Sequence, residues 1–217
     1  MALLRVDSSI RVTDSVSRAL ADTVTTSWLD THPAGDVVRR DLGTDPVPAS
    51  AWSDSLQAAA TPEADRTPDQ RAALALAGTV GDEVLAADSV LIATSLYNFG
   101  VSQHLKTWID LLLTHPEFAP GKQPLAGKPV AFTIARGGGY GPGTPREGWD
   151  HATPWLVRIF QDVLGGEVTV VAAELTLAEV NPAMAELVPL AKQSAVDAHE
   201  RAAGTGRALA ERTTAAA

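Results

Sequence analysis

Thr94-Ser95-Leu96-Tyr97-Asn98-Phe99-Gly100-Val101-Ser102-Gln103-His104-Leu105-Lys106-Thr107-Trp108-Ile109-Asp110-Leu111-Leu112 decides the fold. Just before it, Ser89-Val90-Leu91-Ile92-Ala93 is almost wholly apolar. A short apolar run of this kind reads as a strand covered on both faces, as in a parallel sheet. After it, Val101, Leu105, Trp108, Ile109 and Leu112 recur at helical spacing. A polar-aromatic turn, Ser95 to Gly100, therefore joins the carboxyl end of a central strand to the start of a helix. In open α/β sheets ligands bind at such places.

The rest of the chain repeats this alternation. Strands are expected over 2–7, 36–42, 89–93, 128–135 and 167–172. Helices are expected from Ser15 through Trp28, over 68–86, 101–113 and 149–164, and after Asn181-Pro182. Thr67-Pro68-Asp69-Gln70 carries the signature of a helix start, with Thr as N-cap, Pro in the first turn and Gln closing a capping box. Five strands alternating with five helices imply a parallel sheet with right-handed crossovers. The flavodoxin-like strand order 2-1-3-4-5, a three-layer α/β sandwich with helices on both faces, puts a ligand at the switch between strands one and three. Residues 1–203 read as one domain. The Ala/Thr/Arg-rich tail from Gly204 to Ala217 reads as frayed or disordered, and residues 58–67 as a mobile excursion.

The loop at the other side of that switch is Asp7-Ser8-Ser9-Ile10-Arg11-Val12-Thr13-Asp14-Ser15-Val16-Ser17. Its hydroxyls crowd the positive end of a helix beside N–H groups that lack intrahelical partners. That combination binds phosphate without glycine or lysine. Plain N-capping by Asp14 or Ser15 is the alternative. A third loop, Ala135-Arg136-Gly137-Gly138-Gly139-Tyr140-Gly141, ends strand four. Successive glycines there let backbone N–H groups approach a flat ligand.

Composition narrows the chemistry. The chain has 217 residues, 45% of them hydrophobic, no cysteine and a formal charge of −9. Without cysteine there is no disulfide, thiolate metal site or cysteine nucleophile, which fits a reducing cytoplasm. Net acidity argues against a nucleic-acid partner. No run of eighteen apolar residues would span a membrane. The five histidines are scattered and give no metal spacing. No Gly-x-Ser-x-Gly elbow, Walker loop or Gly-x-Gly-x-x-Gly fingerprint is present.

Leu96-Tyr97-Asn98-Phe99 followed by Gln-x-Leu-Lys-x-x-x-Asp resembles the FMN-binding turn of the FMN-dependent NADH:quinone oxidoreductase/azoreductase family. Ser8-Ser9, Ser15-Val16-Ser17, Asp45-Pro46-Val47-Pro48, Ala135-Arg136-Gly137-Gly138 and Thr153-Pro154-Trp155-Leu156 extend the likeness over most of the chain. The resemblance implies tightly bound FMN, with its phosphate at Ser9, Ser15, Val16 and Ser17. It puts the isoalloxazine against Leu96, Tyr97, Asn98 and Phe99, and the pyrimidine edge on Ala135, Arg136, Gly137 and Gly138. It implies NADH or NADPH as donor and ping-pong transfer of two electrons to a quinone, azo or nitro compound. No side chain is then a catalytic acid or base, because the flavin carries the chemistry. Phe118, in the loop of residues 114–127, and Asp162, which stands where the family carries Phe, are expected at the substrate pocket. A two-fold homodimer is also implied. The apolar arc of the helix at 101–113, widened by Leu111 and Leu113, points the same way. A non-turnover electron carrier or redox sensor, or an enzyme recruited to one biosynthetic reduction, are the competing readings.

Overall fold

The computed structural model describes the backbone of residues 1–215 and side chains through Arg212. Five strands form one parallel sheet: β1 (Ala2–Asp7), β2 (Asp36–Asp41), β3 (Ser89–Ser95), β4 (Pro129–Ala135) and β5 (Glu167–Ala173). Their order is β2-β1-β3-β4-β5, the expected one. Alternation along each strand assigns the two faces. Leu3, Leu91, Ala93, Ala131 and Val171 point to one layer, built from helices α1 (Val16–Thr31) and α6 (Val188–Ala215). Leu4, Val6, Val90, Ile92, Val130, Phe132 and Ile134 point to the other. That layer holds α3 (Pro68–Ala86) and α4 (Gln103–Leu112), with α5 (Thr153–Val157) continuing as a π-helical turn over Arg158–Val163. The short α2 (Ala51–Ala60) precedes α3. Thr67 caps α3 through the full capping box with Gln70.

Four expectations need correction. Residues 58–67 are not an excursion. They contain the end of α2 and a 3₁₀ turn at Glu63–Asp65, and the Arg66 guanidinium donates to the carbonyls of Ala58 and Thr61. The helix expected from Trp149 begins only at Thr153, because the Asp150 carboxylate accepts the N–H groups of Ala152 and Thr153 and turns the chain there. The tail expected to fray from Gly204 is helical through Ala215, with Thr205, Leu209 and Ala210 buried; Ala216 and Ala217 lie outside the described residues. Finally, Leu111 and Leu112 are fully buried within the chain. The loop after α4 folds back and puts Phe118 and Leu125 in the same cluster. The wide apolar arc of α4 is therefore largely satisfied by its own core, with Leu113 half-buried, and gives no separate argument for a dimer.

α6 lies very close to α1. A Cβ added at Gly206 would sit 2.3 Å from the Val24 carbonyl oxygen and 2.8 Å from Ser27 Cβ. Backbone cannot yield cheaply, so Gly206→Ala should destabilise the protein by about 1–3 kcal/mol. The urea midpoint should fall at unchanged m-value.

Candidate functional site

The carboxyl ends of β1, β3 and β4 open onto one cleft. It is lined by Ser9, Arg11, Asp14, Ser15, Val16, Ser95, Leu96, Tyr97, Ala135, Gly137, Thr176 and Leu177. The strand order reverses between β1 and β3, so the two neighbouring connections leave to opposite faces and part there.

The first wall is the loop from Ser8 to Ser15. Ser15 is the N-cap of α1, and its hydroxyl accepts the Arg18 N–H at 3.5 Å. It also lies 3.3 Å from the Ser17 hydroxyl, which in turn is 3.5 Å from that of Ser95. The N–H groups of the first helical turn, at Val16 and Ser17, have no carbonyl one turn back to serve them. Capping and ligand binding are thus compatible roles for one loop. Ser17 is itself fully buried beneath the cleft and is not part of its wall.

Arg18 holds this loop from behind. It forms a two-pronged pair with Asp41 at 2.6 and 2.7 Å and donates to the carbonyls of Ser9 and Arg11, each at 3.1 Å. Asp7 stands 3.8 Å from the same guanidinium. Gly43 leaves room for the approach, since a Cβ there would meet the Ser9 carbonyl oxygen at 2.3 Å.

The second wall is the turn after β3. Tyr97 N–H donates to the Gly100 carbonyl at 3.0 Å and Gly100 N–H to that of Tyr97 at 2.9 Å. Between them Asn98 and Phe99 adopt φ of +47° and +67°. Two positive φ values make a tight turn that usually demands Asn-Gly. Phe99 in place of glycine carries a backbone penalty of about 1–2 kcal/mol. Its carbonyl accepts the His151 N–H at 2.9 Å, and its ring meets Trp149 edge-on at 5.4 Å. Tyr97 reaches across the cleft. Its hydroxyl accepts the Ile10 N–H at 3.2 Å and lies 3.4 Å from Ser9 Oγ.

The third wall is the glycine loop. The carbonyls of Arg136, Gly137 and Gly138 accept the N–H groups of Thr176, Leu177 and Leu175 at 3.0, 3.3 and 3.1 Å. Among the described residues no acceptor takes the N–H of Gly137 or Gly138. Carbonyls committed outward leave donors for a ligand. A Cβ at Gly137 would lie 2.8 Å from Leu177 Cδ1, so a side chain there would displace Leu177 from the cleft wall.

Seven of the expected residues line the cleft: Ser9, Ser15, Val16, Leu96, Tyr97, Ala135 and Gly137. Asn98 and Phe99 form the turn beside it. The structure does not bring the remaining side chains into it. Arg136 is turned away and paired with Asp150 at 2.7 Å and Glu174 at 2.9 Å, while Gly138 is buried beneath Arg146. Phe118 is in the core, its ring 5.7 Å from His115. Asp162 is on the outer face of the π-helical turn, 2.7 Å from Arg158. The cleft also takes in Arg11, Asp14 and Ser95, which belong to the two expected loops without being singled out as ligand contacts, and Thr176 and Leu177, which lie outside every expected loop. Arg11 and Asp14 were visible as the only charges in the hydroxyl loop beyond its first residue; the β5 turn follows from topology, since it neighbours the end of β4. Among the described residues no group of three or more metal-ligating side chains exists, and no helix is long and apolar enough to cross a membrane.

Hydroxyls at a helix start, free backbone donors on the opposite wall and Leu96, Tyr97, Ala135 and Leu177 between them suit a ligand with one anionic end and a flat ring. The residues fit a flavin mononucleotide. The fold and this cleft define a flavodoxin-like protein, and the model of the family described as the flavodoxin-like fold matches residues 1–214. The chain belongs to that family, within the group of FMN-dependent NADH:quinone oxidoreductases. A relative of that name from Streptomyces avermitilis is 41% identical over 212 residues, covering 97% of each chain. Another from Frankia casuarinae is 37% identical over 199 residues, covering 90% of this chain and 94% of its own. Among solved structures, an FMN-dependent NADH-azoreductase from Bacillus anthracis in complex with FMN superposes with a TM-score of 0.78. The match covers 97% of this chain and all of that one at 19% identity, and it bears on the fold alone.

The Asp41 carboxyl is held below its ordinary value of 3.8, first by the Arg18 hydrogen bond, against a smaller opposing cost of burial. On acidification the unfolded chain takes up this proton before the folded one. The stabilisation is therefore complete above 3.8 and lost as pH falls through the lower folded value. Urea midpoints from about pH 6 down to about pH 2.5 should fall more steeply for the wild type than for Asp41→Asn, the two curves converging at the acid end.

Proposed function

We propose that this chain is an FMN-dependent NADH:quinone oxidoreductase that passes two electrons from NADH or NADPH to a quinone, azo or nitro compound. One observation carries the reading: the hydroxyl-rich start of α1 and the Tyr97–Gly100 turn meet at the β1/β3 switch, bridged by the Tyr97 hydroxyl. The names of the relatives support it. FMN, when bound, supplies the two-electron chemistry. The chain's work is to hold it. Ser9, Ser15 and the α1 N-terminus would receive the phosphate, with Ser17 setting the Ser15 hydroxyl. Leu96, Tyr97 and Ala135 would flank the ring. The N–H group of Gly137 would favour negative charge at its pyrimidine edge. The open face of one cleft serves donor and acceptor in turn, so turnover should be ping-pong. The exposed Phe99–Trp149 pair and Leu177 leave an apolar rim at the cleft. A second copy covering that rim is the remaining ground for a homodimer, and a cytoplasmic setting fits the cysteine-free chain.

The purified protein supplied with FMN should be yellow, bleach anaerobically with NADH and oxidise NADH with a soluble quinone. Initial-rate plots against both substrates should give parallel lines. A protein that takes up no FMN would sink the reading, and one that bleaches without turnover would leave only an electron carrier. Ser15→Ala should weaken FMN binding, the lost charge-assisted hydrogen bond being worth about 1.5–3 kcal/mol before neighbours compensate; Ser17→Ala, which only frees the Ser15 hydroxyl, should weaken it less. A titration followed by flavin fluorescence measures it.

A further inference from the structure

Among the described residues, two formally charged side chains line the cleft, Arg11 and Asp14, both exposed and both at the hydroxyl-loop end. Their neighbours are neutral hydroxyls and apolar groups. The nearby guanidinium of Arg18 is already committed to Asp41, with Asp7 behind it. Arg5 is likewise held by Asp7 and Asp22. Arg11 differs. Its backbone is anchored on both sides, the N–H donating to Ser9 Oγ at 3.2 Å and the carbonyl accepting from Arg18 at 3.1 Å. Among the described residues its guanidinium has no ion pair or hydrogen bond. A fixed backbone beneath an uncommitted cation is a preorganised anchor for an anion at this end of the cleft.

Asp14 makes the anchor necessary. Without Arg11 the sole formal charge on the cleft wall would be the Asp14 carboxylate, which repels a phosphate. Serine hydroxyls and a helix end provide dipoles and partial charge only. We propose that Arg11 is the phosphate-selecting residue of this site: it offsets Asp14, pairs with the terminal phosphate and makes the cleft prefer FMN to riboflavin. This rests on the flavin reading above and names a residue that reading does not use.

The test compares two ligands that differ only by the phosphate. FMN and riboflavin dissociation constants would be measured by fluorescence titration of the apoprotein for the wild type, Arg11→Gln, Arg11→Lys and Asp14→Asn. Arg11→Gln should lose about tenfold or more in FMN affinity and leave riboflavin affinity unchanged. Arg11→Lys should keep most of the preference. Asp14→Asn retains the left-handed backbone at φ +53°, which Asn adopts readily, and should tighten FMN alone. Wild-type FMN affinity should also fall more steeply with salt than that of Arg11→Gln. Equal losses for both ligands in Arg11→Gln would assign Arg11 a merely structural role. No loss for either would overturn the proposal while the flavin reading stood. A wild type that binds neither ligand would overturn both.

Discussion

The pair between Arg18 and Asp41 is the constraint on which the site depends. It joins the first turn of α1 to the end of β2, and through the carbonyls of Ser9 and Arg11 it fixes the loop between. Beneath it lies a second, drier set of charges: Arg5, 2% exposed, in a two-pronged pair with Asp7 at 3.0 and 3.1 Å. Removing one partner from such a set costs about 3–5 kcal/mol, because the other charge stays buried. A loop without prolines and with few apolar anchors is thus held as firmly as a secondary-structure element. Its hydroxyls are fixed before any ligand arrives, so little ordering is left to oppose binding.

The opposite wall obtains its rigidity by other means. Asn98 and Phe99 sit in a conformation that their backbones disfavour. Such strain persists only where the surroundings over-determine it. Here the surroundings are identifiable: the reciprocal Tyr97–Gly100 bonds, the His151 N–H on the Phe99 carbonyl, and Trp149 against the Phe99 ring. The long segment from Gly139 to His151 therefore does more than connect β4 to α5. It returns to clamp the β3 turn. Arg136 ties its two ends, binding Asp150 directly and Glu174, whose other oxygen accepts the Tyr140 N–H at 3.1 Å.

Most of the fold was legible because strand-by-strand apolar runs and helix-start signals are local. The strand order and three cleft loops followed from that alternation and from the family likeness. What misled was nonlocal. The Ala/Thr/Arg-rich run from Gly204 reads as a tail, yet Gly206 within it marks where α6 touches α1 backbone. Alanine-rich sequence there was in fact a helix signal. Arg136 sits in a motif that resembles a ligand contact, but its partners Asp150 and Glu174 come from other loops and only folding brings them near. Asp162 stands in a motif position whose π-helical turn presents it outward to Arg158.

α4 shows the limit of pattern reading most plainly. A helix apolar over a wide arc meets either a deep core or another molecule, and periodicity cannot distinguish them. The choice is made by the loop that follows. His115 seats its ring on Gly81, where a Cβ would lie 2.4 Å away, and Phe118 then drops against the same cluster that buries Leu111 and Leu112. The absent side chain at Gly81 thus gives His115 its seat and lets the loop close over the leucines of α4. Exposed apolar surface at the ligand end lies in the rim of Phe99, Trp149 and Leu177, with Ile10 and Val12 on the hydroxyl loop. The rim borders the cleft itself, so whatever covers it, a second copy or an aromatic acceptor, does so at the place where electrons would leave.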